Sequence, residues 1–109
     1  KGTEPEHTVS FSMTNKKGRK ERHLIAVGLE RAYDQGVEDI QQGSIVPVFD
    51  VTDLEDVKHL ATFWSPTAWS PEGIYYVPDS DKDHKGALLL ASEMSGSVST
   101  FPFTYNDLF

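Results

Sequence analysis

Pro5-Glu6 opens a pattern that Pro71-Glu72 opens again, and this near-repetition restricts the chain to architectures built by stacking one unit on another. In the first repeat an apolar run ending in glutamate follows, Leu24-Ile25-Ala26-Val27-Gly28-Leu29-Glu30; in the second it is Leu88-Leu89-Leu90-Ala91-Ser92-Glu93. A Gly-Ser pair and a further strand-like run complete each repeat, Gly43-Ser44-Ile45-Val46-Pro47-Val48-Phe49 and Gly96-Ser97-Val98-Ser99-Thr100-Phe101. The offsets are 66 (5 to 71), 63 (30 to 93) and 53 (43 to 96), so the shared parts are strands and the length differences fall in loops. Units that recur in this way cannot each bury a core alone and are stable only against a neighbour.

The apolar segments are rich in Val, Ile, Thr, Phe, Tyr and Trp, and Gly, Pro, Ser and Asp interrupt them about every ten residues, which predicts an all-β chain. Strands are expected at His7–Met13, His23–Glu30, Ser44–Val51 and Val57–Trp64, then at Gly73–Val77, Gly86–Glu93 and Ser97–Thr104. His7–Met13 alternates, with Val9, Phe11 and Met13 on one side and Thr8, Ser10 and Ser12 on the other. The second strand of each repeat is apolar on both faces, as in strands covered from both sides. Pro47 implies a bulge or an edge position. Four antiparallel strands followed by three fit two consecutive β-propeller blades, residues 1–65 and an incomplete 66–109 lacking its outer strand. Two blades cannot close a ring, so the chain is expected to be a fragment of a larger propeller. Its partners are then the remaining blades, in the same precursor or in companion chains.

The net charge of -7 argues against a nucleic-acid surface, which needs basic density to displace counterions. The one basic cluster, Lys16-Lys17-Gly18-Arg19-Lys20-Glu21-Arg22, reads as a solvated hairpin tip. With no cysteine there is neither a disulfide framework nor a thiolate metal site. No run is long enough to span a membrane and no signal peptide is present. The first residue is not methionine, so a processed product or a piece of a longer chain is expected.

Five ordered motifs resemble the C-terminal part of the choice-of-anchor I proteins. They are Lys1-Gly2-Thr3-Glu4-Pro5-Glu6, Val27-Gly28-Leu29-Glu30-Arg31, Val48-Phe49-Asp50-Val51-Thr52-Asp53, Ser70-Pro71-Glu72-Gly73 and Ala91-Ser92-Glu93-Met94-Ser95-Gly96-Ser97-Val98. That group includes the mesenchyme-specific cell-surface glycoproteins of biomineralising animals, many bacterial secreted proteins and members labelled alkaline phosphatase-like. The resemblance implies an extracellular or cell-surface β-propeller of which this chain is the terminal pair of blades. His7 replaces the glycine that usually follows Pro-Glu in the family, and the 32–42 segment is longer than the family's turn. The 64–69 link is in turn shorter than the family's crossover. No N-glycosylation sequon is present, because Asn15 and Asn106 lack the following Ser or Thr.

The residues most suited to chemistry are the repeated glutamates Glu6, Glu30, Glu72 and Glu93. In antiparallel pairing the end of the second strand lies beside the start of the first, so each blade presents a carboxylate pair at one rim of the channel. Converging carboxylates repel, and Ca²⁺ or another hard divalent cation relieves that repulsion. Arg31 offers an ion pair instead, and capping of turns through backbone N–H groups is the structural alternative. A second, weaker metal candidate is Asp79, Asp81 and Asp83, alternating carboxylates in a hairpin. That segment is no EF-hand loop, since His84 stands where the loop needs glycine and Leu90 where it needs glutamate. Among the scattered histidines only His7, beside Glu6, lies near the expected channel. Trp64, Trp69, Tyr75 and Tyr76 are expected to pack between blades. Two functions follow: a non-catalytic structural or binding module that holds divalent cations, or a metal-dependent, alkaline phosphatase-like phosphoesterase. The absence of an evident nucleophile and of an arginine cluster beyond Arg31 favours the first.

Overall fold

The computed structural model describes residues 4–30, 44–65, 71–92 and 96–109. They form seven strands, β1 (Glu4–Thr14), β2 (Glu21–Glu30), β3 (Ser44–Asp50), β4 (Lys58–Ser65), β5 (Pro71–Asp79), β6 (Lys82–Ser92) and β7 (Ser97–Thr104). One helical turn, α1 (Tyr105–Leu108), follows β7. The strands make two antiparallel sheets of simple up-and-down order, β1-β2-β3-β4 and β5-β6-β7. The chain is thus all-β in the expected four-plus-three division, with both sheets open at their edges. No helix among the described residues is long and apolar enough to cross a membrane.

The sheets pack face to face through the alternate residues that the strand period of two places on one side. Met13, Leu24, Val46 and Val48 of the first sheet and Ile74, Leu88, Leu90 and Phe103 of the second share one buried cluster. Burial of each leucine contributes about 1.5–3 kcal/mol. Aromatic rings fix the alignment. Phe11 stacks on Tyr76 with centroids 4.1 Å apart and planes 10° from parallel, and Phe63 stacks on Phe101 at 5.3 Å. Tyr76 reaches this position because Gly86 has no side chain: a Cβ there would lie 2.4 Å from the Tyr76 hydroxyl. Ser65 Oγ and Ser99 Oγ close the far edge at 3.1 Å.

Matching the two registers aligns the sheets residue by residue. In the first, Pro5 pairs with Leu29 and His7 with Gly28, so Glu6 is the extra residue of a β-bulge. In the second, Pro71 pairs with Ser92 and Gly73 with Ala91, so Glu72 is the extra residue. The repeat therefore extends to an identically placed bulge, with offsets of 66 (5 to 71) and 63 (29 to 92). Leu29 also pairs with Ile45, and Ser92 with Ser97, which makes Ile45 and Ser97 equivalent at an offset of 52 (45 to 97). Alignment of the two Gly-Ser pairs, at 53, is one residue out, and one residue reverses every side chain to the opposite face.

Equivalent residues point in the same direction along the stack. Phe11, Leu24, Ala26 and Val48 of the first sheet face the second, whereas their equivalents Val77, Ala87, Leu89 and Thr100 face away from the first. Conversely Ser10, Ile25, Val27 and Phe49 face outward, and their equivalents Tyr76, Leu88, Leu90 and Phe101 line the interface. The front of one sheet thus packs on the back of the next. A two-fold sandwich would pack front on front. Ser65 and Phe63 of β4 meet Ser99 and Phe101 of β7 in reversed order, so β3, antiparallel to β4, runs in the same direction as β7.

Pro47 takes the first of its two expected settings, a place beside irregular pairing and not at a sheet edge. It lies on β3, an interior strand, and pairs with Thr62 of β4. The bulge implied by its missing N–H falls next to it, between Val48 and Phe49 in the β3–β4 ladder. After β7 the second repeat continues as α1, closed by a capping box. Thr104 Oγ1 accepts from the Asp107 N–H at 3.3 Å and Asp107 Oδ2 accepts from the Thr104 N–H at 2.7 Å.

Candidate functional site

The backbone brings the starts of β1 and β5 to one end of the stack, because equivalent strands run in the same direction. At that end Glu4 stands opposite Glu30 in the β1–β2 register, with Glu6 in the adjoining bulge. Glu72 occupies the same bulge position in the second sheet and is exposed. The side chains of Glu6 and Glu30, and Glu93 and Arg31 entirely, lie outside the described residues. Sequence reasoning passed over Glu4 because it began β1 at His7, three residues late. The signal was the unbroken Thr3-Glu4-Pro5-Glu6 run, with a proline that an edge strand accommodates.

His7 directly follows the bulge, pairs with Gly28 and is partly buried. Asp79, Asp81 and Asp83 sit at the opposite end, in and beside the tight β5–β6 turn. There Asp79 Oδ1 accepts the Asp81 N–H at 3.1 Å, a turn-forming bond. They assemble no cluster: among the described residues no group of three His, Asp or Glu is arranged to hold a metal ion. The four aromatics do not act as one set. Tyr76 lies in the interface, while Tyr75 and Trp64 point outward at 60% and 45% exposure, as strand alternation requires. Trp69 lies outside the described residues.

A charged network at the hairpin end went unnoticed in the sequence. Asp50, buried at the end of β3, accepts hydrogen bonds from the Thr52 N–H at 2.9 Å and from the Thr52 hydroxyl. Its other oxygen pairs with Arg22 Nη1 at 3.3 Å. Burial raises its pKa, but the two Thr52 bonds together with Arg22 and Lys58 outweigh that and leave it below the ordinary aspartate value. Thr52 Oγ1 also accepts the His23 N–H at 2.9 Å, which ties the β3–β4 turn to β2. The Arg22 guanidinium lies 5.3 Å from the Phe109 ring centroid, joining the first sheet to the segment after α1. The polar contacts of Asp50 with Thr52 and Arg22 hold strand ends together.

The outward face of the second sheet carries a shallow groove of about 500 Å³, floored by Val77, Ala87 and Pro102 and edged by Asp79, Lys85 and Asp107. Tyr75, Val77 and Val98 on the same face are 60%, 48% and 63% exposed. The outward face of the first sheet is also apolar over its two central strands, with Ile25, Val27 and Leu29 on β2 and Ile45, Pro47 and Phe49 on β3. The outward faces of both sheets, the back of the first and the front of the second, are therefore apolar over their central strands. Comparison of the chain with family models, curated proteins and solved structures finds no match.

Proposed function

We propose that this chain forms two neighbouring blades of a larger β-propeller, secreted or held at the cell surface, of the choice-of-anchor I class that its five motifs resemble. The observation that carries the reading is the directional repeat: two sheets with the same bulge and register, the front of one on the back of the other. Stacking of that kind is open at both ends unless further sheets continue it around a closed ring. The apolar outward faces of both sheets support the same reading, since they have the composition of surfaces that another sheet covers.

In such a ring the module is structural or ligand-binding, and a divalent cation such as Ca²⁺ sits at the channel mouth. Glu6 and Glu30 from one blade and Glu72 and Glu93 from the next are its proposed ligands, with Arg31 and His7 as polar neighbours. The Pro-Glu bulge supports the assignment, because an extra residue re-aims a side chain at a strand end in both repeats alike. Cation binding should raise the melting temperature in Ca²⁺, and Glu30→Gln with Glu93→Gln should remove the increase. A melt indifferent to Ca²⁺, Mg²⁺ and Mn²⁺ would overturn the cation site. Hydrolysis of p-nitrophenyl phosphate that these two substitutions abolish would replace the module reading with the phosphoesterase.

A further inference from the structure

We propose that the outward face of β5-β6-β7 is a docking surface for the outward face of β1-β2-β3-β4 on a second copy of this chain, joined head to tail. The inference rests on the ring reading and names the partner within it. The internal interface already holds one such joint. The front of the first sheet there presents Phe11, Leu24, Ala26 and Val48, and it receives Tyr76, Leu88, Leu90 and Phe101 from the back of the second. The open front of the second sheet presents the equivalents of the first group, Val77, Ala87, Leu89 and Thr100. The open back of the first sheet presents the equivalents of the second group, Ser10, Ile25, Val27 and Phe49. The open surfaces are thus the two halves of an interface that the molecule already makes.

Their sizes and charges agree with the pairing. On the innermost strands Phe11 meets Tyr76 inside, while in the open joint Tyr75 and Val77 would lie over the small Thr8 and Ser10 of β1. The chain carries 17 acidic and 10 basic residues, yet none of the eight open-face residues named above is charged. Each apolar face by itself would be silent about its partner. Their equivalence to the buried pair supplies the partner, and it makes the contact heterologous, so that each copy uses two different surfaces.

The test uses the wild-type chain and two face variants. Leu89→Lys blocks the open front and Val27→Glu blocks the open back, and neither touches the internal interface. Sedimentation equilibrium should give a discrete wild-type oligomer, and each variant alone should be a monomer with an unchanged far-ultraviolet spectrum. Mixed together, the variants should form a one-to-one dimer and stop there, since each retains one good face. An isologous dimer, which would persist in one variant alone and give no further species on mixing, overturns the proposal. Indefinite wild-type aggregation that neither variant dissolves overturns it as well. A wild-type monomer that binds a hydrophobic dye and melts broadly overturns self-association and leaves the ring reading standing with unlike blades. A dye-silent monomer with a sharp cooperative melt overturns both.

Discussion

The two sheets of this protein have the same register over three strands and the same Pro-Glu bulge, yet bury opposite faces. In the first, the Phe11, Leu24 and Ala26 side is buried. In the second, it is the Tyr76, Leu88 and Leu90 side that meets the interface. The difference teaches that duplication here preserved direction rather than inside and outside. A strand apolar on one face can be covered from one side only. The double-faced β2 and β6 can take part in a stack that continues.

The sharpest way to break the comparison is to place the same charge on neighbouring residues of β6. Leu88→Asp puts an unpaired carboxylate in the shared core and should cost on the order of 4 kcal/mol, enough to unfold a small domain. In a chain kept monomeric by Val27→Glu, Leu89→Asp, one residue along and outward, should change stability by less than about 0.5 kcal/mol. Equal losses in that monomeric background would show that the single chain buries both faces of β6. Next in size, Phe11→Ala removes the ring stacked on Tyr76 and should cost about 3–5 kcal/mol. Gly86→Val drives a side chain into the Tyr76 ring and should cost about 1–3 kcal/mol, with Tyr76→Leu restoring part of it; no recovery in the double variant would mean that the glycine serves its own backbone.

Smaller effects separate the hairpin end from the stack. Asp50→Asn removes the charge that Arg22 and Thr52 hold, and should cost about 1–3 kcal/mol near neutral pH. Because the Asp50 pKa is lowered on folding, its contribution is complete above the unfolded-state value near 3.8 and is lost as pH falls through the lower folded value. The wild type and Asp50→Asn should therefore draw together in stability as pH falls from about 3.8 through the lower folded value, and a gap that stays constant over that fall would count against the ionised pair. Tyr76 acts in the opposite direction. Burial and then Asp83 raise its pKa above 10.0, so the stability tied to its neutral hydroxyl persists up to that value and declines only in stronger alkali. Thr104→Ala opens the capping box of α1 and should cost about 1 kcal/mol, readable as a small shift of the same melt.

Most strand positions were legible in the sequence because alternation and turn residues are local signals. Ser97–Thr104 is found as expected, and β2 differs by two residues at one end. What local pattern did not carry was which face goes where. The Gly-Ser pairs suggested an equivalence one residue from the paired one, and only the cross-strand register, Leu29 with Ile45 and Ser92 with Ser97, corrects it. Pro47 was legible as a point of irregular pairing, and the β2–β3 pairing is interrupted opposite it, between the Ala26–Val48 and Leu29–Ile45 pairs. At the candidate site, antiparallel geometry was enough to foresee that Glu6 and Glu30 lie at adjoining ends of paired strands. Glu4 and the bulge were not foreseen, because a bulge is a relation between two strands and leaves no mark on one. The Asp50 network joins residues 28 positions apart, beyond the reach of any motif.

The common direction of equivalent strands gives the molecule a top and a bottom. The β1–β2 turn, where Gly18 adopts a φ of 66° with nothing within 4 Å of its missing side chain, lies at the end away from the Pro-Glu bulges. Tethered to a solid support through an insertion in that turn, every molecule would stand with its glutamate end toward solution and both outward sheet faces free to either side.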